Sequence, residues 1–368
     1  MVDNDLNINR DRLPMYEGKD PFLREEPCCL HCFKTPDTKL VKCSRCQIAW
    51  YCNETCQKEH FPKHRDFCKH VSECHIKVQL MKEYLRSEPQ ESVFETDIGN
   101  FWGREDTIPF MQSTFMLASW YFVAAHESDI REVLEKALFV LLEHLRLGVL
   151  DEREARWRAP FFLLSLNRDD DAYSFIRYWV RFKELLDLDQ DDFQIPDNYL
   201  NSKEGDWIYP RETDCRYLDV FQDIWSNENA QETELAFLVA LLIIKLRIVA
   251  AHDAAKFSIE LALGGVAGQR IQEVQPAIEE MVIRQDADVE GQREQVHRLM
   301  DVIHDKNPSV LLALLNPRPV MEESKPKSGV PSDVHRILMD CKAVYYRVPG
   351  AVELLKERLG SIQSSVIA

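Results

Sequence analysis

The sequence predicts a mostly α-helical protein, in which a small metal-stapled finger near the N-terminus precedes an all-helical bundle or solenoid-like body. Three observations predict it. Seven cysteines and one histidine crowd into Cys29–Cys68 at ligand spacing. Beyond about residue 100 the apolar residues recur at helical rather than alternating spacing. No clear fixed-period repeat emerges that would define a tetratricopeptide or armadillo array by motif.

The finger is CLHCFKTPDTKLVKCSRCQIAWYCNETCQKEHFPKHRDFC. Its ligands fall into four pairs: Cys29 and Cys32, Cys43 and Cys46, Cys52 and Cys56, His64 and Cys68. Eight ligands make two closed tetrahedral zinc sites. A Cys-x-x-Cys turn brings two thiolates onto one metal at about 2.3 Å while its backbone amides face the sulfurs. The later pairs are spaced four apart, so on a helix each would share one face. A segment this short has too little apolar material to fold alone, and structural zinc contributes roughly 10 to 16 kcal/mol per site in finger peptides. Cys28 could replace Cys29 by a one-residue slip, but only Cys29 gives the two-residue spacer. His60, one turn before His64, is a competing ligand. His31, His70 and His75 have no spacing that recruits them, and Cys28, Cys74, Cys215 and Cys341 read as core or surface thiols.

This order of residues resembles the MYND-type zinc finger through the whole module. The resemblance runs through both Cys-x-x-Cys pairs, Tyr51 before Cys52, Gln57 after Cys56, and the final His-x3-Cys. The HIT-type finger is the nearest rival pattern, with a shorter gap before its histidine; the seven residues between Cys56 and His64 favour MYND. The resemblance implies interleaved, cross-brace sites: Cys29, Cys32, Cys52 and Cys56 on one zinc, Cys43, Cys46, His64 and Cys68 on the other. It also implies docking of a short proline-rich peptide in a shallow groove, for which Ser44 and Gln57 stand in the matching places. Phe61 stands where the family has tryptophan, which keeps a ring to pack on proline but loses the indole N–H. Packing of Phe61 into the finger's own small core is the alternative. From about residue 155 onward the helical stretches loosely resemble those accompanying MYND fingers in uncharacterised fungal and protist proteins.

Nine of the eleven cysteines precede residue 75. That clustering suits metal binding in a reducing, intracellular compartment, nucleus and cytosol being equally open, rather than a disulfide scaffold. The N-terminus lacks the apolar stretch of a signal peptide. The longest apolar run, Leu235–Ala251, carries Lys245 and Arg247, and reads as a buried core helix rather than a membrane span. The formal charge is −17. Residues 29–69 hold eight basic and four acidic side chains, leaving −21 for the rest; two zincs and seven thiolates bring the finger to about +1. A near-neutral finger on an acidic body is a poor footprint for direct nucleic-acid binding.

Along the chain, residues 1–27 read as a flexible tail, 28–70 as the finger, 71–100 as a connector with MKEYLRSE helical, 101–316 as the helical body, 317–331 as a linker and 332–368 as C-terminal helices. Within the body, Phe110–Ala125 is apolar nearly all round and predicts a central helix. Asp129 and Glu132 form a capping box before the amphipathic run Ile130–Leu145. Further helices are expected at about 151–166, 170–187, 230–252, 269–285, 289–304, 308–315, 332–346 and 350–359, around an acidic loop at 188–215.

MYND fingers also occur within SET-domain lysine methyltransferases. Their cofactor-wrapping Gly-x-Gly and Asn-His-x-Cys segments are missing here, and the glycine cluster LGGVAGQR reads as a helix end and turn. His126, His144, His252, His297 and His335 are scattered without catalytic companions. The sequence therefore points to a non-enzymatic, zinc-binding interaction adaptor, whose partner is a protein or a proline-rich peptide. The alternatives are a structural finger within a SET-like methyltransferase, or a nucleic-acid-associated transcriptional regulator.

Overall fold

A computed structural model describes residues 23–36, 38–87, 92–150, 155–186, 194–225, 230–264, 289–322 and 332–367. Among them are fourteen α-helices and one two-stranded sheet, so the protein is mostly α. They fall into two compact units, one of Phe22–Arg168 with Arg181–Arg211 and one of Asp169–Val180 with Glu212–Ala368.

In the first unit β1 (Val41–Lys42) pairs antiparallel with β2 (Trp50–Tyr51), Val41 opposite Tyr51. Then come α1 (Glu54–Ser87), α2 (Val93–Thr96), α3 (Ile108–Ser128), α4 (Arg131–Leu147) and α5 (Ala155–Ser165). The next helix, α6 (Asp169–Leu186), contributes residues to both units, and the single turn α7 (Asp197–Leu200) returns to the first. The core is the pairing of α3 with α4. α3 carries Pro109 in its first turn, where a missing N–H costs nothing, and buries Phe110, Met111, Leu117, Ala118, Phe122 and Ala125. α4 presents Val133, Leu134, Ala137, Leu138, Leu141 and Leu145, none more than 3% exposed.

The expected capping box does not form. Asp129 lies in the left-handed region at φ 55° and closes α3, its N–H reaching Ala125 O at 2.8 Å. Glu132 instead accepts from Lys136 at 2.6 Å and from Lys42 of the finger at 3.0 Å. Of the expected tail 1–27, residues 1–22 lie outside the described residues; in the remainder Leu23 is buried and Arg24 bridges to Ile130, its N–H donating to Asp129 O at 2.7 Å. Residues 71–87 of the expected connector are the second half of α1, which runs unbroken out of the finger.

The second unit holds α8 (Val220–Asp223), α9 (Leu235–Gly264), α10 (Val289–Lys306), α11 (Pro308–Leu315), α12 (Arg318–Glu322), α13 (Ser332–Tyr345) and α14 (Ala351–Ile367), after the first turns of α6. The first part of α9, as far as Ile244, is apolar on every face, with Phe237–Ile244 each at most 1% exposed. Its segment Leu235–Ala254 is long and apolar enough to cross a membrane by length and composition, but 72% of it is buried inside the protein. The helix expected at 269–285 and most of the expected linker lie outside the described residues; α12 occupies the linker's beginning. The acidic loop, described from residue 194 onward, is irregular apart from α7 and a 3-10 turn at Cys215–Tyr217.

Candidate metal centre

Both Cys-x-x-Cys turns close in the same way. In the first, the residue after Cys32, Phe33, takes φ 58° and donates its N–H to Cys29 O at 2.8 Å. In the second, Gln47 takes φ 60° and donates to Cys43 O at 3.1 Å. A left-handed residue at this position turns the backbone so that the two sulfurs face inward, and neither turn uses glycine for it. The turns are tied to the sheet: Leu30 N–H donates to Trp50 O at 2.9 Å, and Cys43 N–H to Ala49 O at 2.8 Å. Cys52 lies just before α1 rather than on it. The helix start is set by Asn53, whose side-chain oxygen accepts from Cys56 N–H at 3.0 Å, so that Cys56 sits in the first turn. His64 and Cys68 do share a helical face, as their spacing implied.

The eight ligand atoms gather into two groups, each within 4.8 Å: Cys29, Cys32, Cys52 and Cys56, and Cys43, Cys46, His64 and Cys68. The first and third pairs thus share one site and the second and fourth the other, which is the interleaved arrangement. Within them, Cys32 and Cys52 sulfurs stand 3.6 Å apart, Cys43 and Cys68 sulfurs 3.7 Å, and Cys46 sulfur and His64 Nε2 3.5 Å. A disulfide would need about 2.05 Å. Tetrahedral zinc at about 2.3 Å from sulfur and 2.05 Å from nitrogen sets sulfurs about 3.8 Å apart, and sulfur from nitrogen about 3.6 Å. The residues fit two zinc ions.

The ligand environments differ. At the first site Cys29 is buried, while Cys32, Cys52 and Cys56 are partly exposed. Burial works against ionising Cys29, yet the backbone N–H groups of Cys32, Cys52 and His31 face its sulfur and bring the thiol down to about 6. At the second site all four ligands are buried, and the Cys46 thiol, the largest influence, holds Cys43 down to about 3 against burial. Tyr51 is wholly buried between the sites' elements; its hydroxyl meets His60 Nδ1 at 3.1 Å and its ring lies edge-on to His64. His60 is therefore a neighbour of the second site and not a ligand. Cys28 is buried outside both groups, as are Cys215 and Cys341, while Cys74 is half-buried.

Sequence spacing did not reveal what fastens the finger. His70 stacks on Trp120 of α3 with centroids 5.1 Å apart, Phe67 meets the same indole edge-on at 5.5 Å, and His75 Nδ1 lies 3.3 Å from the Tyr121 hydroxyl. These contacts tie histidines without metal spacing to the body. His31 pairs with Glu59 at 2.9 Å. Tyr121 lies close enough to the second site that the Cys46 charge adds to burial in pushing its phenol up to about 12. On the outer side Ser44 is exposed, Gln57 is partly exposed, and Phe61 keeps 50% of its surface in solvent, so Phe61 does not pack away into the finger's own core.

A scan against known protein families matches residues 29–68 to the MYND finger. Over 44 residues the chain is 52% identical to a protein named histone-lysine N-methyltransferase ASHR1, from Arabidopsis thaliana. That match spans 12% of this chain and 9% of the relative, so the two share one small module. No solved structure matches the chain. Residues 29–68, with two interleaved Cys/His groups that fit two zinc ions, are a MYND-type zinc finger.

Proposed function

We propose that the chain is an intracellular, non-enzymatic adaptor whose finger docks a partner protein through a proline-rich peptide, with Ser44, Gln57 and Phe61 as the contact residues. The observation that carries this reading is the placement of Phe61. It sits one helical turn after Gln57 on α1, ligates nothing and leaves half its surface in solvent. An exposed ring on a frame fixed by metal is suited to packing on proline, and it loses little entropy on binding. The zinc ligands require reduced thiols, which favours a reducing compartment. The formal charge of −17 disfavours direct phosphate-backbone binding, and the apolar α9 is mostly enclosed by protein, which disfavours a membrane role.

The test is a titration of the zinc-loaded chain with proline-rich peptides. Interface aromatics commonly contribute about 2 kcal/mol, so Phe61→Ala should weaken binding at least about tenfold while both zincs remain. Phe61→Trp, which restores an N–H donor, should strengthen it. No binding by the parent chain, or undiminished binding by a zinc-replete Phe61→Ala, defeats the docking reading.

A second reading follows from the methyltransferase relative: the finger belongs to a lysine-methylating enzyme. Its support is the similarity of the finger alone. Calorimetry with S-adenosylmethionine separates the readings, since micromolar binding would favour the enzyme and displace the adaptor.

A further inference from the structure

We infer that the two zinc sites hold their metal unequally: the first site yields zinc to a competing chelator ahead of the second, and its release loosens residues 29–36 and 52–57 while α1 from His64 onward stays docked on α3. This goes beyond the docking reading and does not depend on it.

Access comes first. A chelator removes zinc by entering its coordination shell as a protein ligand leaves, so the exposure of the ligands and the looseness of their backbone control the rate. Three of the four sulfurs of the first site are partly open to solvent, whereas at the second His64 is 8% exposed and the three cysteines are 4% or less. Anchorage points the same way. The first site takes its ligands from a turn, from the residue after β2 and from the opening turn of α1, where helical hydrogen bonding has barely begun.

The second site is held by its surroundings as well as by metal. The chain just after Cys46 is enclosed, Ile48, Ala49, Trp50 and Tyr51 each being 5% exposed or less, and within it Ala49 O accepts from Cys43 N–H at 2.8 Å while the Tyr51 ring lies edge-on to His64. Its helical ligands His64 and Cys68 belong to the part of α1 where Phe67 and His70 pack on Trp120 and Val71 is fully buried. Lys42, next to Cys43, is tethered to Glu132 of α4 at 3.0 Å. A ligand held by a packed helix returns to its metal faster than a chelator can replace it. The donor sets alone would favour the opposite order, since four thiolates bind zinc more strongly than three and an imidazole, so the prediction opposes ligand identity to setting.

The experiment is release of zinc from the full-length chain into excess EDTA, followed by elemental analysis and by hydrogen exchange at the half-released stage. Two phases are expected, with rates at least about tenfold apart. Midway, protection should be lost at 29–36 and 52–57 and kept at 64–75 and 117–121. A single phase, or earlier loss of protection at 64–75, overturns the inference. Cys32→Ser should keep one zinc and an intact α1–α3 pairing, whereas Cys46→Ser should lose protection along both helices. If Cys46→Ser does not fold, the release kinetics of the unmodified chain decide the matter.

Discussion

The finger and the surroundings of Lys245 in α9 meet the same problem by different chemistry. Both order irregular backbone that has few apolar side chains of its own. In the finger, two turns and a short sheet are drawn together by two groups of soft ligands. Around α9, the 3-10 turn at Cys215–Tyr217 is held by one buried ammonium: Lys245 Nζ donates to Arg216 O at 2.7 Å, Leu218 O at 2.6 Å and Gln292 Oε1 at 2.9 Å. Gln292 in turn donates to Tyr217 O at 2.7 Å. All three ammonium protons thus find oxygen, and a charge that would otherwise be costly to bury becomes the clasp of a loop. The difference is in reversibility. A metal clasp opens to a chelator; a lysine clasp does not.

Removing both zincs should produce the largest effect that separates the two regions. Structural zinc supplies roughly 10 to 16 kcal/mol per site in finger peptides, far more than a short segment can replace. Exhaustive chelation should therefore abolish hydrogen-exchange protection across β1, β2 and the first half of α1, and leave α9–α11 protected. Loss of protection in α9 under these conditions would show that the second unit also leans on the metal.

Lys245→Met probes the other clasp at nearly constant volume. It leaves three carbonyl oxygens, that of Gln292 buried, without their donor and should cost about 2 kcal/mol in urea unfolding of the second unit, with zinc content unchanged. Burial also pulls the Lys245 ammonium down to about 7, against the nearby Asp219, Cys215 and Asp223. An unfolded lysine titrates near about 10.4, so between these values the unfolded chain binds more protons and stability should rise with pH. Lys245→Met should flatten that rise. An unaltered slope would assign it to other groups.

Smaller effects are expected where finger and α3 meet. Trp120→Ala removes the ring against which Phe67 and His70 pack and should cost about 2 kcal/mol while speeding zinc release from the second site. Lys42→Ala removes a half-exposed ion pair with Glu132 and a cation–π contact 4.6 Å from the Trp50 ring. Its cost should stay below about 1 kcal/mol, since exposed pairs are screened and entropically weak. Unchanged release from Trp120→Ala would mean that α3 does not support the second site.

What could be read from the sequence follows from how each feature is encoded. Metal ligands must recur at fixed short intervals, so all eight were legible, and the spacing alone preferred Cys29 over Cys28. The apolar surfaces of α3, α4 and α9 were equally open to reading, because burial on a helix repeats every turn. The contacts of Lys245, Trp120 and Lys42 join residues far apart in sequence, and no local pattern marks them; Lys245 read only as a charge interrupting an apolar run. The capping box misled because Asp129 was already engaged in closing α3, a competition between neighbouring helix ends that the four-residue motif does not show. The continuation of α1 past the finger was largely visible: residues 69–100 read as running on from the last zinc-ligand helix into a connector, with MKEYLRSE helical and Pro89 stopping it, but nothing local said that one unbroken helix would carry the ligands onto α3.

The central claim is that a cross-braced, two-zinc finger anchors this helix, and paired substitutions test the bracing directly. Cys29→Ser with Cys52→Ser removes two ligands from one site if the pairs interleave, so the purified chain should retain one zinc after passage over a chelating resin. Cys29→Ser with Cys43→Ser damages both sites and should retain none. Sequential pairing, in which the first four ligands share one metal, requires the reverse: one zinc kept by the Cys29 and Cys43 variant and none by the Cys29 and Cys52 variant. That result would contradict the arrangement described.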